Sequence, residues 1–551
     1  MRMFRCLIII YDGVRRLAEY DTWIFTENPD IKKDPTVVEP FSWCGAGLNR
    51  RHMDFQSIAL PTELPHQIPL FQEDCKSIIY FIFTNAYFQI FYSSKLNTWA
   101  KLLPQQCSGI IGINYFRFMQ IAQQIVFVIA LAVATYFFYK NVSKIRRNIL
   151  LGRDEDRTDQ PKKRWSIMFK VAFGQTKMVA RPIPAILHFF VYIGFILINI
   201  EVLEIILDGV FGTHRLFAFL GPVYNVAIGF FEILAVLVLV GCILFLTRRF
   251  VNKIPRFHKP EMKGWPTKDA TIILITEIVL MAAILKMNAA DQILQARGVE
   301  HYTEAGSFPV SQLLVPFFES FSSEALIVFE RIAWWFHIIG ILLFLNFLPY
   351  SKHFHIILAF PNTFYSKLKP MGQVDNIGAI TNEVKMMMGD PSADPNAPPP
   401  ESFGAKDITD LSWKNIMDAY TCTECGRCTS VCPANQTGKL LSPRKIMMDT
   451  RDRAEEIGKR MDSGITEPDD KNLLSYISPE ELWACNSCNA CAEACPINID
   501  PLNVIGQLRQ YLVMEKAEAP NELNMMFTNI ENNGAPWQFP ATDRDKWTTE
   551  I

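Results

Sequence analysis

Eight cysteines lie between positions 422 and 495 in two copies of one spacing, Cys-x2-Cys-x2-Cys-x3-Cys-Pro. The first copy is Cys422, Cys425, Cys428 and Cys432, and the second is Cys485, Cys488, Cys491 and Cys495. Three thiolates this close wrap one face of an iron–sulfur cube, and the fourth vertex must be reached from elsewhere in the chain. The fourth cysteine of each run is therefore expected to serve the other cluster. Cys422, Cys425, Cys428 and Cys495 are assigned to one [4Fe-4S] cluster, and Cys485, Cys488, Cys491 and Cys432 to the second. Structural zinc also uses Cys-x2-Cys pairs, but four ligands per ion explain neither the third step nor the Cys-Pro endings. In so long a chain this pattern signals metal ligation in a reducing compartment, not a disulfide framework.

The other candidate ligands are histidines in or beside apolar stretches. Five such stretches, 120–139, 184–207, 223–247, 270–288 and 326–348, are long enough to cross a bilayer. The loops 140–182 and 248–269 hold twelve and seven Lys/Arg, whereas 205–222 holds only Arg215, and 286–324 only Lys286 and Arg297. The positive-inside rule puts the basic loops, and with five spans the cysteine-rich part, in the cytoplasm. His188 sits near the inner end of the second stretch, His337 within the fifth, and His353 and His355 just beyond Pro349. On one continuous helix, His337 and His355 would share a face, five turns and about 27 Å apart. Two neutral imidazoles from facing helices are what bis-histidine haem ligation needs. His353 stands open as an alternative to His355. Glu201, Glu204, Glu232 and Glu277 fit either a proton relay or hydrogen bonding within the bundle.

The five-span layout, the histidines of the second and fifth spans and their spacing resemble the cytochrome b (gamma) subunit of respiratory nitrate reductase. They resemble the membrane subunit of heterodisulfide reductases equally well. That resemblance implies haem b, with His188 and His355 holding an inner haem and His337 one side of an outer haem. It also implies quinone as substrate. The family has a second histidine further along helix two where Ile198 stands, so the outer site lacks a partner unless His214 serves it. Residues 432–485 are too widely separated for a compact small ferredoxin. Ser442-Pro443 and Ser478-Pro479 open helices between them. This region resembles the all-helical ferredoxin domain of heterodisulfide reductases, glycerol-3-phosphate dehydrogenase subunits and fumarate reductase iron–sulfur subunits.

The expected fold is all-α, a five-helix transmembrane bundle followed by an α-helical 2[4Fe-4S] ferredoxin domain. Residues 1–113 form an N-terminal extension with four scattered cysteines (Cys6, Cys44, Cys75, Cys107), and a start at Met119 would leave only the two recognised modules. The cytochrome-like part spans 114–360, a linker 361–405, the two-cluster part 406–515, and a tail 516–551. The linker includes the proline-rich run 391–400. In the tail, 529–547 is expected to be an extended docking segment, with Trp537, Phe539 and Trp547 as anchors for a separate cysteine-rich catalytic iron–sulfur subunit. The 551 residues carry 54 Lys+Arg against 56 Asp+Glu. That balance gives no support to nucleic-acid binding. Trp334, Trp335, Cys242 and 386–388 are read as packing and lipid contact. The sequence thus points to a multi-pass oxidoreductase subunit of the cytoplasmic membrane, passing electrons between a soluble cytoplasmic partner and quinone. A haem-free anchor for a ferredoxin, or a subunit dedicated to an electron-transfer flavoprotein:quinone oxidoreductase, are the rival readings.

Overall fold

The computed structural model describes residues 105–551, with side chains from 120 onward, apart from 371, 374, 375, 399–401, 466, 468, 539, 550 and 551 and the side chain of 541. The expectations for 1–104, for Cys107, for the Met119 start and for Phe539 lie outside these residues. Five helices are long and apolar enough to cross a membrane: Gln120–Ile149, Pro182–Phe211, Pro222–Phe250, Trp265–Ala296 and Ser323–Tyr350. They fall where the apolar stretches predict. Prolines sit in the first turn of the second, third and fourth, where the missing N–H costs nothing. Arg146 and Arg147 close the first, and Arg248 and Arg249 the third, placing cations at the negative end of each helix dipole. The second span packs on the third, the third on the fourth and the fourth on the fifth. Gly340 lets the last pair approach closely, since an added Cβ there would stand 2.7 Å from Leu280 Cδ2.

The fifth span does not continue to His355. Its helix ends at Phe347, and a 3-10 turn follows over Leu348–Tyr350. Ser351 is extended (φ −119°, ψ 148°), a second 3-10 turn covers Lys352–Phe354, and a new helix runs His355–Phe364. Pro349 has no N–H to continue the ladder, and Ser351 caps the new start by accepting a hydrogen bond from His353 N–H. The single-face relation expected between His337 and His355 is therefore corrected: they sit on different helices.

The cysteine-rich part consists of short helices around one long one, Pro443–Asp462, joined by Trp413–Thr421, Arg427–Val431, Pro479–Trp483, Ala490–Ala494 and Pro501–Met514. Ser442 and Ser478 cap their helices as the sequence predicts, Ser478 in a reciprocal box with Glu481. Among the described residues there is no β-strand, only an isolated bridge between Arg153 and Ser412. One apolar core joins this part to the bundle. Ile145, Ile149, Leu348, Phe354 and Leu358 pack with Ile408, Leu411, Ile446, Ile477 and Leu508. Polar contacts tighten the seam: Arg147 donates to Gly458 O at 2.9 Å, Asn148 Nδ2 to Tyr420 Oη at 3.0 Å, and Asn362 Nδ2 to Ile497 O at 2.9 Å.

Two further expectations change. The linker contains a helix, Gly378–Met387, at whose end Met387 and Met388 are exposed. A helix over Asn521–Asn533 takes in the first five residues of the 529–547 segment expected to be extended. Its Asn-Asn-Gly works as a stop, with Gly534 in the left-handed region at φ +63°.

Candidate functional site

Each cysteine motif forms a loop followed by one turn of helix, and the loops are built alike. Glu424 and Ser487 take positive φ (55° and 54°) at matching positions, as do Gly426 and Asn489 (69° and 59°). These bends turn the loop so that its thiols face one side. Cys422, Cys425, Cys428 and Cys495 line one cavity, and Cys491 lines it as well. Cys485, Cys488, Cys491 and Cys432 line a second. The structure thus brings together the sets that the spacing groups, each with three thiols from one motif and the fourth from the other. Among the described residues, no three Cys, His, Asp or Glu side chains close on a point as a single ion requires. The cavities instead suit a larger group. Backbone N–H groups of Ile499 and Ser487 donate to Cys495 Sγ (3.3 Å) and Cys485 Sγ (3.4 Å). Burial pushes the thiols of Cys422, Cys491 and Cys495 up to about 12. They would therefore be protonated without a metal, and bound iron would deprotonate them outright.

The two cavities differ in setting. Cys488, on the second, is exposed. The first lies against the basic loops: Arg256 Nε donates to Cys425 O (3.0 Å), and Lys177 Nζ to Ala492 O (3.4 Å) and Asn498 Oδ1 (3.2 Å). Arg444, fully buried, donates to Arg256 O (2.7 Å) and pairs with Glu261 (2.7 Å). Glu424, 3% exposed, pairs with Lys352 and with Arg451 at 2.9 Å. Burial alone would raise the Glu424 carboxyl, but these two cations outweigh it and hold the group below its usual range.

At this same end the structure gathers His188, His353 and His355. Burial, then the neighbouring imidazoles of His355 and His188, push His353 down to about 3, and burial lowers His355 as well. Both rings are therefore neutral at physiological pH, as iron ligation requires. His355 Nδ1 donates to Lys352 O at 3.0 Å, and His188 Nδ1 meets Gln175 Oε1 at 3.1 Å. Anchoring Nδ1 fixes the ring and leaves Nε2 for a metal. Among the described residues no hydrogen bond engages Nε2 of either ring, and the buried His353 Nε2 also has no partner. These residues fit a haem held by two histidines at this level.

The opposite end does not. His337 is 1% exposed with neither ring nitrogen hydrogen-bonded, and among the described residues no imidazole pairs with its ring. Ile198 is packed in the apolar core with Val238, Leu280 and Ile338. His214 is occupied on both sides, its Nε2 donating to Asp291 (3.1 Å) and its Nδ1 accepting from Thr303 N–H (3.2 Å). Among the described residues, neither position 198 nor His214 offers His337 a second imidazole. Instead, Asp291 pairs with Arg215 at 2.6 Å, both nearly buried, beside a polar cavity that also meets Glu201, Asp208, His301 and Arg331. Asp291→Ala strands the Arg215 charge and is expected to cost about 3–5 kcal/mol. Thermal unfolding in detergent measures this, and Arg215→Met combined with Asp291→Leu should recover most of it. Glu204 accepts from Phe217 N–H and Tyr224 Oη (both 2.8 Å), and Glu232 from the N–H groups of Val310 (3.0 Å) and Ser311 (3.1 Å). These two carboxylates pin loops to helices. Nothing in the sequence around them signals the backbone groups they hold.

Residues 421–499 match the family model described as a 4Fe-4S dicluster domain. The chain is 29% identical over 461 residues to the probable iron-sulfur-binding oxidoreductase FadF of Bacillus subtilis, covering 78% of this chain and 61% of that one. It is 27% identical over 451 residues to the EtfAB:quinone oxidoreductase of Syntrophomonas wolfei, covering 77% and 59%. A shorter match, 31% over 105 residues, is to one component of the ferredoxin/F(420)H(2)-dependent CoB-CoM heterodisulfide reductase of Methanosarcina acetivorans, covering 19% of this chain and 52% of that component. The chain spans about three fifths of the length of the first two relatives. No solved structure matches. Five membrane-length helices and a dicluster domain thus form a chain whose homologues are iron–sulfur oxidoreductases of electron transfer.

Proposed function

We propose that the chain passes electrons between a soluble cytoplasmic partner and membrane quinone. The path runs through a cluster at Cys485, Cys488, Cys491 and Cys432, a cluster at Cys422, Cys425, Cys428 and Cys495, and one haem b held by His188 and His355. One observation supports this most. Lys352 touches both the first cysteine loop, through Glu424, and the imidazole of His355, through its carbonyl. The two candidate sites therefore share one rigid core and are not tethered through a linker. Haem, when bound, supplies one-electron exchange, and the chain supplies two neutral imidazoles with fixed Nδ1 groups and a water-poor setting. The shared core disfavours a haem-free anchor. The relative named as an EtfAB:quinone oxidoreductase favours an electron-transfer flavoprotein as the soluble partner.

The test is the absorption spectrum of the purified protein in detergent, dithionite-reduced minus oxidised. A haem b α-band is expected. Full iron and sulfide with no such band would overturn the reading.

The exposed Cys488 marks where electrons enter or leave. The tail helix buries none of its residues and starts beside Pro479, Trp483 and Ala484, and Met525, Trp537 and Trp547 are exposed. A separate cysteine-rich iron–sulfur subunit docking on this face is the proposed neighbour. Truncation after Glu518 should remove it from affinity-purified membranes while iron content stays unchanged. Equal recovery with both forms would refute the docking role.

A further inference from the structure

The two cysteine loops are an internal control for one another. They share their positive-φ bends, yet the position that is Ser487 in the second is Glu424 in the first. Ser487 is exposed, and its hydroxyl accepts a 3.4 Å contact from Arg509 Nη1. The loop therefore reaches its shape without a carboxylate, and the buried carboxylate of Glu424 has some other use. It has two partners: Arg451, within the cysteine-rich part, at 2.9 Å, and Lys352, a residue of the membrane half 72 positions earlier. Lys352 is held on every side: Nζ donates to Pro266 O (2.6 Å), and its N–H to Asp269 Oδ2 (3.1 Å). Its carbonyl oxygen accepts the bond from His355 Nδ1 (3.0 Å). The first cysteine loop is thus linked to an imidazole by one ion pair, one residue's backbone and one hydrogen bond.

We infer that Glu424 and Lys352 are positioning residues, which fix the first cysteine loop against His355 and so set the geometry for electron exchange between the cluster and haem sites. The inference rests on the haem reading given above. In the step concerned, one electron leaves the reduced cluster and reduces ferric haem, with no bond made or broken. Electron exchange falls off steeply with the separation of the two centres, so a small displacement of the loop against His355 is enough to slow it.

Glu424→Ser installs the side chain that the second loop already carries, so the loop should fold and retain iron. Lys352→Met removes the other partner. In each variant, two readouts are followed beside iron content: the low-spin haem signal in electron paramagnetic resonance, and the rate of haem reduction after rapid reduction of the clusters. We expect full iron, a shifted haem signal and haem reduction slowed several-fold. The double variant should be no slower than the slower single one, because the residues act through each other. Unchanged signal and rate in Glu424→Ser would overturn the positioning role and leave the haem reading intact. Loss of iron in that variant would also overturn it, making Glu424 a part of the loop's own fold. Absence of haem from the unaltered protein would sink both.

Discussion

Cys432→Ser should cost the protein the cluster of the other motif. Cys432 follows the first loop in sequence, but it lines the cavity formed by Cys485, Cys488 and Cys491. Serine is nearly isosteric, so the 7% exposed site loses little packing. The cube loses a thiolate and with it protection from solvent. Iron and sulfide are expected to fall by about half, from roughly eight irons per chain, since one [4Fe-4S] unit is lost and the other kept. The remaining paramagnetic signal should be that of the cluster at the basic loops. Cys495→Ser should give the mirror result, leaving the more exposed cluster. Iron analysis and electron paramagnetic resonance of the reduced variants decide it. Unchanged iron, or loss of the same signal in both variants, would contradict the crossed assignment.

Removal of either inner imidazole should abolish the haem α-band. His188→Ala and His355→Ala would each remove one of the two imidazoles that would hold the haem, and neither ring has a substitute with an anchored Nδ1 in the same place. His353→Ala should keep the band, because its ring lacks the Nδ1 bond to a carbonyl or amide oxygen that orients the other two. His337→Leu should keep it too, since among the described residues no imidazole pairs with its ring. The reduced-minus-oxidised spectrum of each variant, scaled to iron, is the measurement. A band that survives in His355→Ala and disappears in His353→Ala would move the ligand by two residues.

Much of this architecture is written locally, and those parts are legible in the sequence. A run of about 20 apolar residues can lie nowhere but in lipid or a core, so the five spans fall where hydropathy puts them. Ser442 and Ser478 announce helices because a cap acts within one turn. The crossed cysteine sets follow from the reach of a three-residue spacing. What was not legible depends on distant partners. Pro349 signals a break, but its outcome is fixed by Asp269 on the fourth span. That carboxylate accepts from Ser351 Oγ (2.6 Å) and Lys352 N–H (3.1 Å) and holds the chain in its turn. An uninterrupted ruler from His337 to His355 was therefore the wrong instrument. Glu424 reads from the sequence as one polar residue in a loop, and its bond to Lys352 appears only when the two halves meet. The tail misled for another reason. Asn-Asn-Gly ends a helix as readily as it starts a loop, and the helix before it buries nothing that periodicity would reveal.

The apolar seam between Ile145, Leu348, Phe354 and the interior of the cysteine-rich part bears on how the protein is made and retained. Much of the dicluster fold is short helices tied together by its cysteines, so a chain that has not acquired iron lacks the ties that hold this cap shut. Without the cap, the inner ends of the first and fifth spans present bare aliphatic and aromatic surface to water. Locally opened surface of that kind is what cellular proteases and chaperones sample. Iron loading is thereby linked to how much of this surface opens, and the iron-free chain should be cleared faster than the loaded one, which its half-life in iron-depleted against iron-replete cells measures.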